Sequence, residues 1–151
     1  MNILDILSPK TVKAPLQATE KQAAIYELVE LLVEADLIDD GDKLKAVVWE
    51  REEQRSTGIG EGLAIPHGKC DCAPHLAMAI GRPAEPIEFG AVDKKPVRLV
   101  VLLASPPDKT AEHIQALGKI SRLMANNDFR EATYAAESSE ALYELFRRAE
   151  R

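Results

Sequence analysis

Ile25, Leu28, Val29 and Leu32 recur at spacings of three and four, which predicts an amphipathic helix in the first third of the chain. Thr19 followed by Gln22 reads as a capping box at its start. Leu44, Val47 and Val48 repeat the period and predict a second helix beginning near Asp42. The series continues to Arg51 and then, one turn on, Arg55, so both arginines are expected to point inward at the end of that helix. Beyond it the pattern changes. Residues 66–107 hold seven of the nine prolines, which excludes long helices. Within that region Leu76 to Ile80 and Val97 to Ala104 are apolar and partly β-branched, as strands buried on both faces are. Thr110 is expected to cap a helix with His113, Leu117, Ile120 and Met124 on one side, and Ser138 to open a last helix with Leu142, Leu145 and Phe146 inward. Helices before and after a central sheet predict an α/β fold, a three-layer α/β/α sandwich forming one domain over residues 1–151. Strand order is not readable from the pattern.

Between the second helix and the first of those strands lies Ser56-Thr57-Gly58-Ile59-Gly60-Glu61-Gly62-Leu63-Ala64-Ile65-Pro66-His67-Gly68-Lys69. Three glycines in five positions allow positive φ and let the amides turn toward a common point, an arrangement that suits an anion. Pro66 biases Ile65 toward an extended conformation, so Leu63 to Pro66 reads as a short strand leading to His67. Gly68 leaves that imidazole unobstructed. A neutral imidazole is a nucleophile near pH 7, and a nucleophile beside an anion cradle suggests phosphoryl chemistry. Two commoner phosphate motifs do not fit. A dinucleotide fingerprint from Gly58 and Gly60 needs a glycine where Leu63 stands, and should open a helix rather than run into Pro66. A nucleotide P-loop ending at Gly68-Lys69 needs a glycine at that same position, and Ser or Thr where Cys70 stands.

Ser56 to Lys69 closely resembles the active-site segment of the enzyme IIA proteins of the bacterial phosphotransferase system, mannitol/fructose class. The resemblance covers nearly the whole chain, and Arg51 and His113 match at the expected spacing. It implies a first strand near Val12, a small mixed sheet of four or five strands, and an order of roughly β-α-α-β-β-β-α-α-α. It also implies that His67 accepts a phosphoryl group from a histidine phosphocarrier protein, with Arg51 and His113 beside it and no metal or cofactor. The guanidinium of Arg51 offers a planar fork to two phosphate oxygens. His113, in the first turn of its helix, either hydrogen-bonds the phosphoryl group or steadies the His67 ring. Thr57, Gly58, Gly60 and Gly68 are the expected phosphate contacts. Arg55 stands where the family has a small residue; it adds a phosphate contact, alters partner preference, or is simply solvated. A single-domain chain with this Ser-Thr-Gly-Ile-Gly start most resembles the nitrogen-regulatory branch, whose members regulate other proteins, potassium transport and sensor-kinase systems among them. The rival within the family is a sugar-specific enzyme IIA that passes phosphate to a permease subunit.

Composition agrees with this without having produced it. A chain of 151 residues can bury about 70% of its unfolded surface in one core. Net charge is −6, with no Lys/Arg run able to track a nucleic-acid backbone or anionic lipid. Proteins and small anions are therefore the expected partners. No apolar stretch reaches the ~20 residues of a membrane span, and Met1-Asn2-Ile3-Leu4-Asp5 lacks signal-peptide character, so a cytoplasmic location without membrane insertion is expected. The only cysteines, Cys70 and Cys72, are separated by one residue, a spacing expected to strain a mutual disulfide and leave reduced thiols. A reading from another class uses the same stretch: His67, Cys70, Cys72 and His75 form His-x2-Cys-x-Cys-x2-His, a small metal-binding module. Cys-x-Cys fits poorly, because each ligand pair must fold back to reach a tetrahedral ion. His75, after Pro74, is otherwise expected at the surface.

Overall fold

The computed structural model describes residues 1–150 and is a three-layer α/β/α sandwich, as the apolar pattern predicts. Strand β1 (Val12–Leu16) is followed by helices α1 (Lys21–Glu34) and α2 (Gly41–Gln54). Five strands come next: β2 (Gly58–Gly60), β3 (Leu63–Ala64), β4 (His67–Lys69), β5 (Ala77–Pro83) and β6 (Leu99–Ser105). Helices α3 (Thr110–Ala125), α4 (Asn127–Ala135) and α5 (Ser139–Ala149) close the chain.

The sheet is mixed, in the order β1-β5-β6-β3-β2, with β4 also paired to β6. Five strands rather than the expected three separate α2 from α3, because β2 precedes the strand expected at Leu63 to Pro66, and that strand stops at Ala64 and is followed by β4 from His67. Leu63 and Ala64 pair with Leu99 and Val100, and His67, Gly68 and Lys69 with Leu103, Ala104 and Ser105, so β3 and β4 run along the same edge of β6 in one unbroken register. Between them the Pro66 carbonyl still accepts from Leu103 N, but proline has no N–H to give the ladder, so the strand is divided there. Counted by position, the sheet is five strands wide.

β6 forms the middle of the molecule, with all seven of its residues buried. Its alternating side chains build two cores. Val100, Leu102 and Ala104 pack with Ala77 and Ala79 of β5 beneath α1 and α2, against Ile25, Leu28, Leu32, Leu44 and Val48. Leu99, Val101 and Leu103 pack with Met78 and Ile80 on the other face, against Ile120, Met124, Leu142 and Phe146. Each fully buried Leu or Phe contributes about 2 kcal/mol of transfer free energy, so both helical layers are held by apolar area.

Two helix starts, those of α1 and α3, differ from expectation, while α2 starts beside Asp42 as expected. α1 is capped by Glu20, whose carboxylate accepts from Ala23 N, and not by Thr19. α2 begins at Gly41 after Asp40, which accepts from Lys43 N. α3 begins after Lys109 with no side-chain cap, and Thr110, expected as the cap, is its first helical residue and accepts a hydrogen bond from Lys69 Nζ at 2.8 Å. Ser138 does cap α5, accepting from Ala141 N.

Candidate active site

His67 opens β4 where the ladder resumes after Pro66. Ile65 turns its backbone polar groups away from β6, its N–H bonding to the Thr57 carbonyl, and His67 Nδ1 donates to the Ile65 carbonyl at 2.7 Å. With Nδ1 carrying the proton, the lone pair of the neutral ring sits on Nε2. Burial is the main force on its pKa and pushes it below the ordinary 6.5, the nearby Arg51 cation acts the same way, and the Ile65 hydrogen bond opposes them. His67 is therefore neutral at physiological pH, with Nε2 available for attack or coordination.

Two layers of helix converge on that ring. A cleft of about 460 Å³ is lined by Val47 and Arg51 of α2, by His67, Gly68 and Lys69 of β4, and by α3, which contributes His113. A neighbouring hollow of about 310 Å³ shares Arg51 and His67 and adds Arg55, Ser56, Thr57 and Ile59. The rings of His67 and His113 meet edge to face with centroids 5.4 Å apart. Burial, with His67 and Lys69 nearby, lowers the His113 pKa from 6.5 to about 4. Both imidazoles are thus uncharged, and the cleft's positive charge comes from Arg51 and Lys69. Arg51 Nη1 donates to the Arg55 carbonyl at 2.9 Å, which anchors one branch of the guanidinium and leaves the other N–H groups for a ligand.

Arg51, His67 and His113 are brought together, the arrangement the family resemblance implies, but the expected cradle of loop amides is not formed. Thr57 N donates to Glu52 Oε2, Gly58 N to Ser56 Oγ, and Glu61 N to Asp93 Oδ2. Gly60 and Gly62, at φ 104° and 87°, serve the tight β2–β3 turn instead. The Thr57 hydroxyl is spent on Glu52 Oε1. Gly68 is needed for close packing, because a Cβ there would come within 2.9 Å of Val47 Cγ1. Arg55 is exposed and lies beyond the end of α2 in an extended conformation, so it does not point inward as the helical series implied.

The inward group at that helix end is Glu52, only 2% exposed. It is four residues past Val48 on the Leu44 and Val48 line, a spacing that could have revealed it. Lys21 Nζ pairs with its Oε2 at 2.8 Å and also donates to the Phe89 carbonyl. This pair, its carboxylate buried and its ammonium partly exposed, fastens the Ser56–Thr57 wall of the cleft to α1. Lys69 was equally missed, although strand alternation from His67 puts it on the same face.

Cys70 and Cys72, expected as free thiols, are joined in a disulfide. The turn closed by Ala73 N on the Cys70 carbonyl brings their Cα atoms to 5.1 Å, inside the span a disulfide bridges. The four-ligand metal arrangement with His67 and His75 is not assembled: His75 is exposed, and no metal-competent cluster of His, Cys, Asp or Glu occurs among the described residues. None of the described helices is long and apolar enough to cross a membrane.

Residues 5–149 match the family model described as "Phosphoenolpyruvate-dependent sugar phosphotransferase system, EIIA 2". The chain is 33% identical, over 96% of its length, to the fructose-specific EIIABC component of Bacillus subtilis, of which it spans 23%. It is 32% identical to a nitrogen regulatory protein of Bradyrhizobium diazoefficiens over 96% of this chain and 94% of that one. The fold superimposes on the crystal structure of nitrogen regulatory protein IIA-Ntr from Neisseria meningitidis with a TM-score of 0.87 and 29% identity, covering 95% of this chain and 98% of that one.

Proposed function

The chain belongs to the EIIA 2 family of the phosphoenolpyruvate-dependent sugar phosphotransferase system, and from that premise we propose that it is a phosphohistidine carrier charged on His67 Nε2. The observation that carries this is the Nδ1 hydrogen bond to the Ile65 carbonyl in a buried, neutral ring, which directs the lone pair into a cleft holding Arg51 and His113. The donor is a histidine phosphocarrier protein bearing its own phosphohistidine. His67 Nε2 attacks the phosphorus in line, the new P–N bond forms, and the donor's P–N bond breaks with its electron pair returning to the donor imidazole. No proton has to move when the donor ring carries a proton on its other nitrogen: it then leaves as neutral imidazole, while His67 keeps its Nδ1–H on Ile65.

Arg51 stabilises the charge carried by the equatorial oxygens of the loose transition state and of the product. His113 donates a hydrogen bond to the same group, and Lys69 at the cleft edge adds a second cation. The resulting phosphoramidate is reactive enough to be handed on.

The regulatory, nitrogen-related role is supported by end-to-end similarity to nitrogen regulatory proteins. In that role, the dianion on His67 changes the surface a cytoplasmic target meets, and potassium transport and sensor-kinase systems are the target classes. The second reading, a sugar-specific component passing phosphate to a permease subunit, is favoured by equal identity to a fructose-specific component. Intact mass after incubation with phosphoenolpyruvate, enzyme I and the phosphocarrier tests the common part. Wild type should gain one acid-labile phosphoryl group and His67→Ala none; a gain in the variant would move the site elsewhere. Onward transfer to an isolated fructose permease subunit would replace the regulatory reading with the sugar-specific one.

A further inference from the structure

Ser105 ends β6 on the face turned toward α3, with no solvent exposure, and its Oγ lies 2.6 Å from His113 Nδ1. We infer that Ser105 is a positioning residue that holds His113 in its Nε2–H tautomer, so that α3 presents one oriented, uncharged donor to the phosphoryl group on His67. The inference rests on the phosphohistidine reading for its purpose and on the geometry alone for the tautomer.

The assignment follows from where the hydrogens can go. If His113 Nδ1–H donated to Oγ, the serine hydrogen would point into a buried setting with no acceptor, since His113 is the only side-chain or backbone partner of Ser105 Oγ among the described residues. Leaving a buried hydroxyl donor unpaired is costly. With the hydroxyl donating to Nδ1, both groups are satisfied, and the single ring proton of neutral His113 is on Nε2. That nitrogen has no partner among the described residues and does not figure among their buried unsatisfied atoms, so it opens to the cleft.

His67 needs the opposite tautomer, with its proton on Nδ1 and its lone pair on Nε2. Two neighbouring imidazoles are thus set in complementary states by two different oxygens, the Ile65 carbonyl and the Ser105 hydroxyl. A carbonyl can only accept and therefore forces a proton onto Nδ1. A hydroxyl can also donate and lets Nδ1 be bare. Replacing the hydroxyl by an acceptor alone would reverse the His113 ring and turn its lone pair toward the phosphate oxygens.

The experiment is two-bond 1H–15N correlation spectroscopy on histidine-labelled, unphosphorylated protein, for wild type, Ser105→Ala and Ser105→Thr, together with phosphoryl-transfer rates. Wild type should show His113 protonated on Nε2 and His67 on Nδ1. Ser105→Ala should show His113 exchanging between tautomers with His67 unchanged, and transfer slower by about fivefold, the rate equivalent of one well-placed neutral hydrogen bond. Ser105→Thr should restore both. A wild-type spectrum with His113 protonated on Nδ1 overturns the inference, as does an unchanged tautomer and rate in Ser105→Ala. Should Ser105→Ala fail to fold, the wild-type and Ser105→Thr spectra still decide it. A protein that is never phosphorylated would sink the carrier reading while the spectra still read the tautomer.

Discussion

Acidifying the protein should expose the cost of keeping His113 neutral. Its pKa is about 4 in the fold against an ordinary 6.5, so in that interval the unfolded chain binds a proton that the folded chain does not. Stability is then fully present above the unfolded value and falls as pH drops toward the folded one. Between about pH 8 and about pH 4.5 the difference amounts to about 2.5 kcal/mol at 1.36 kcal/mol per unit. Because the ring opens onto the cleft, screening reduces this to about 1.5–2 kcal/mol. The assay is urea unfolding of wild type and His113→Gln at each pH. The carboxylates of Glu27, Asp71 and Asp93, all held below their ordinary pKa values, and His67, also lowered, are common to both proteins and largely cancel in the difference. Wild type should lose about 1.5–2 kcal/mol more than the variant over this range. Parallel curves for the two proteins would refute the claim that His113 is buried as the neutral base.

Three further outcomes follow from named contacts. Arg51→Ala should slow phosphoryl acceptance about 100-fold by rapid-quench measurement, as loss of a charge-stabilising donor does, whereas Arg55→Ala, whose side chain is exposed, should change it less than about twofold; equal losses would mean that both arginines hold the phosphate. Glu52→Ala leaves the Lys21 ammonium and the Thr57 amide without their partner and should cost about 3 kcal/mol in urea unfolding, with a loss below about 1 kcal/mol showing the pair to be dispensable. Gly62→Ala combines a φ of 87° with a Cβ that would approach Tyr134 Oη to 2.8 Å, so it should destabilise by about 2–3 kcal/mol in thermal unfolding; an unchanged melting temperature would show that the turn adapts.

Local sequence was sufficient wherever a residue's role depends on its near neighbours along the chain. The α1 face from Ile25 to Leu32, the α3 face carrying His113, the Ser138 cap and the run of apolar residues in β6 each follow from period or capping chemistry within a dozen residues. His67 was legible for the same reason, because Pro66 and Gly68 flank it directly. Tertiary structure decided what depends on partners distant in sequence. Glu52 is buried only because Lys21 arrives from α1, and a carboxylate is expected at the surface until such a partner is known. Gly60 and Gly62 face Asp93 and Tyr134, not an anion, because these residues from far downstream fill the space beside them, and Asp93 takes the amide of Glu61 between them. Arg55 leaves the helical series because α2 stops at Gln54, and that end is set by Thr57 docking on Glu52. Ser105 lies one residue past the apolar run that marked its strand, and its meeting with His113 is created by packing α3 across the sheet. Periodicity places a side chain on a face; only the fold says which group on the facing element shares its hydrogen.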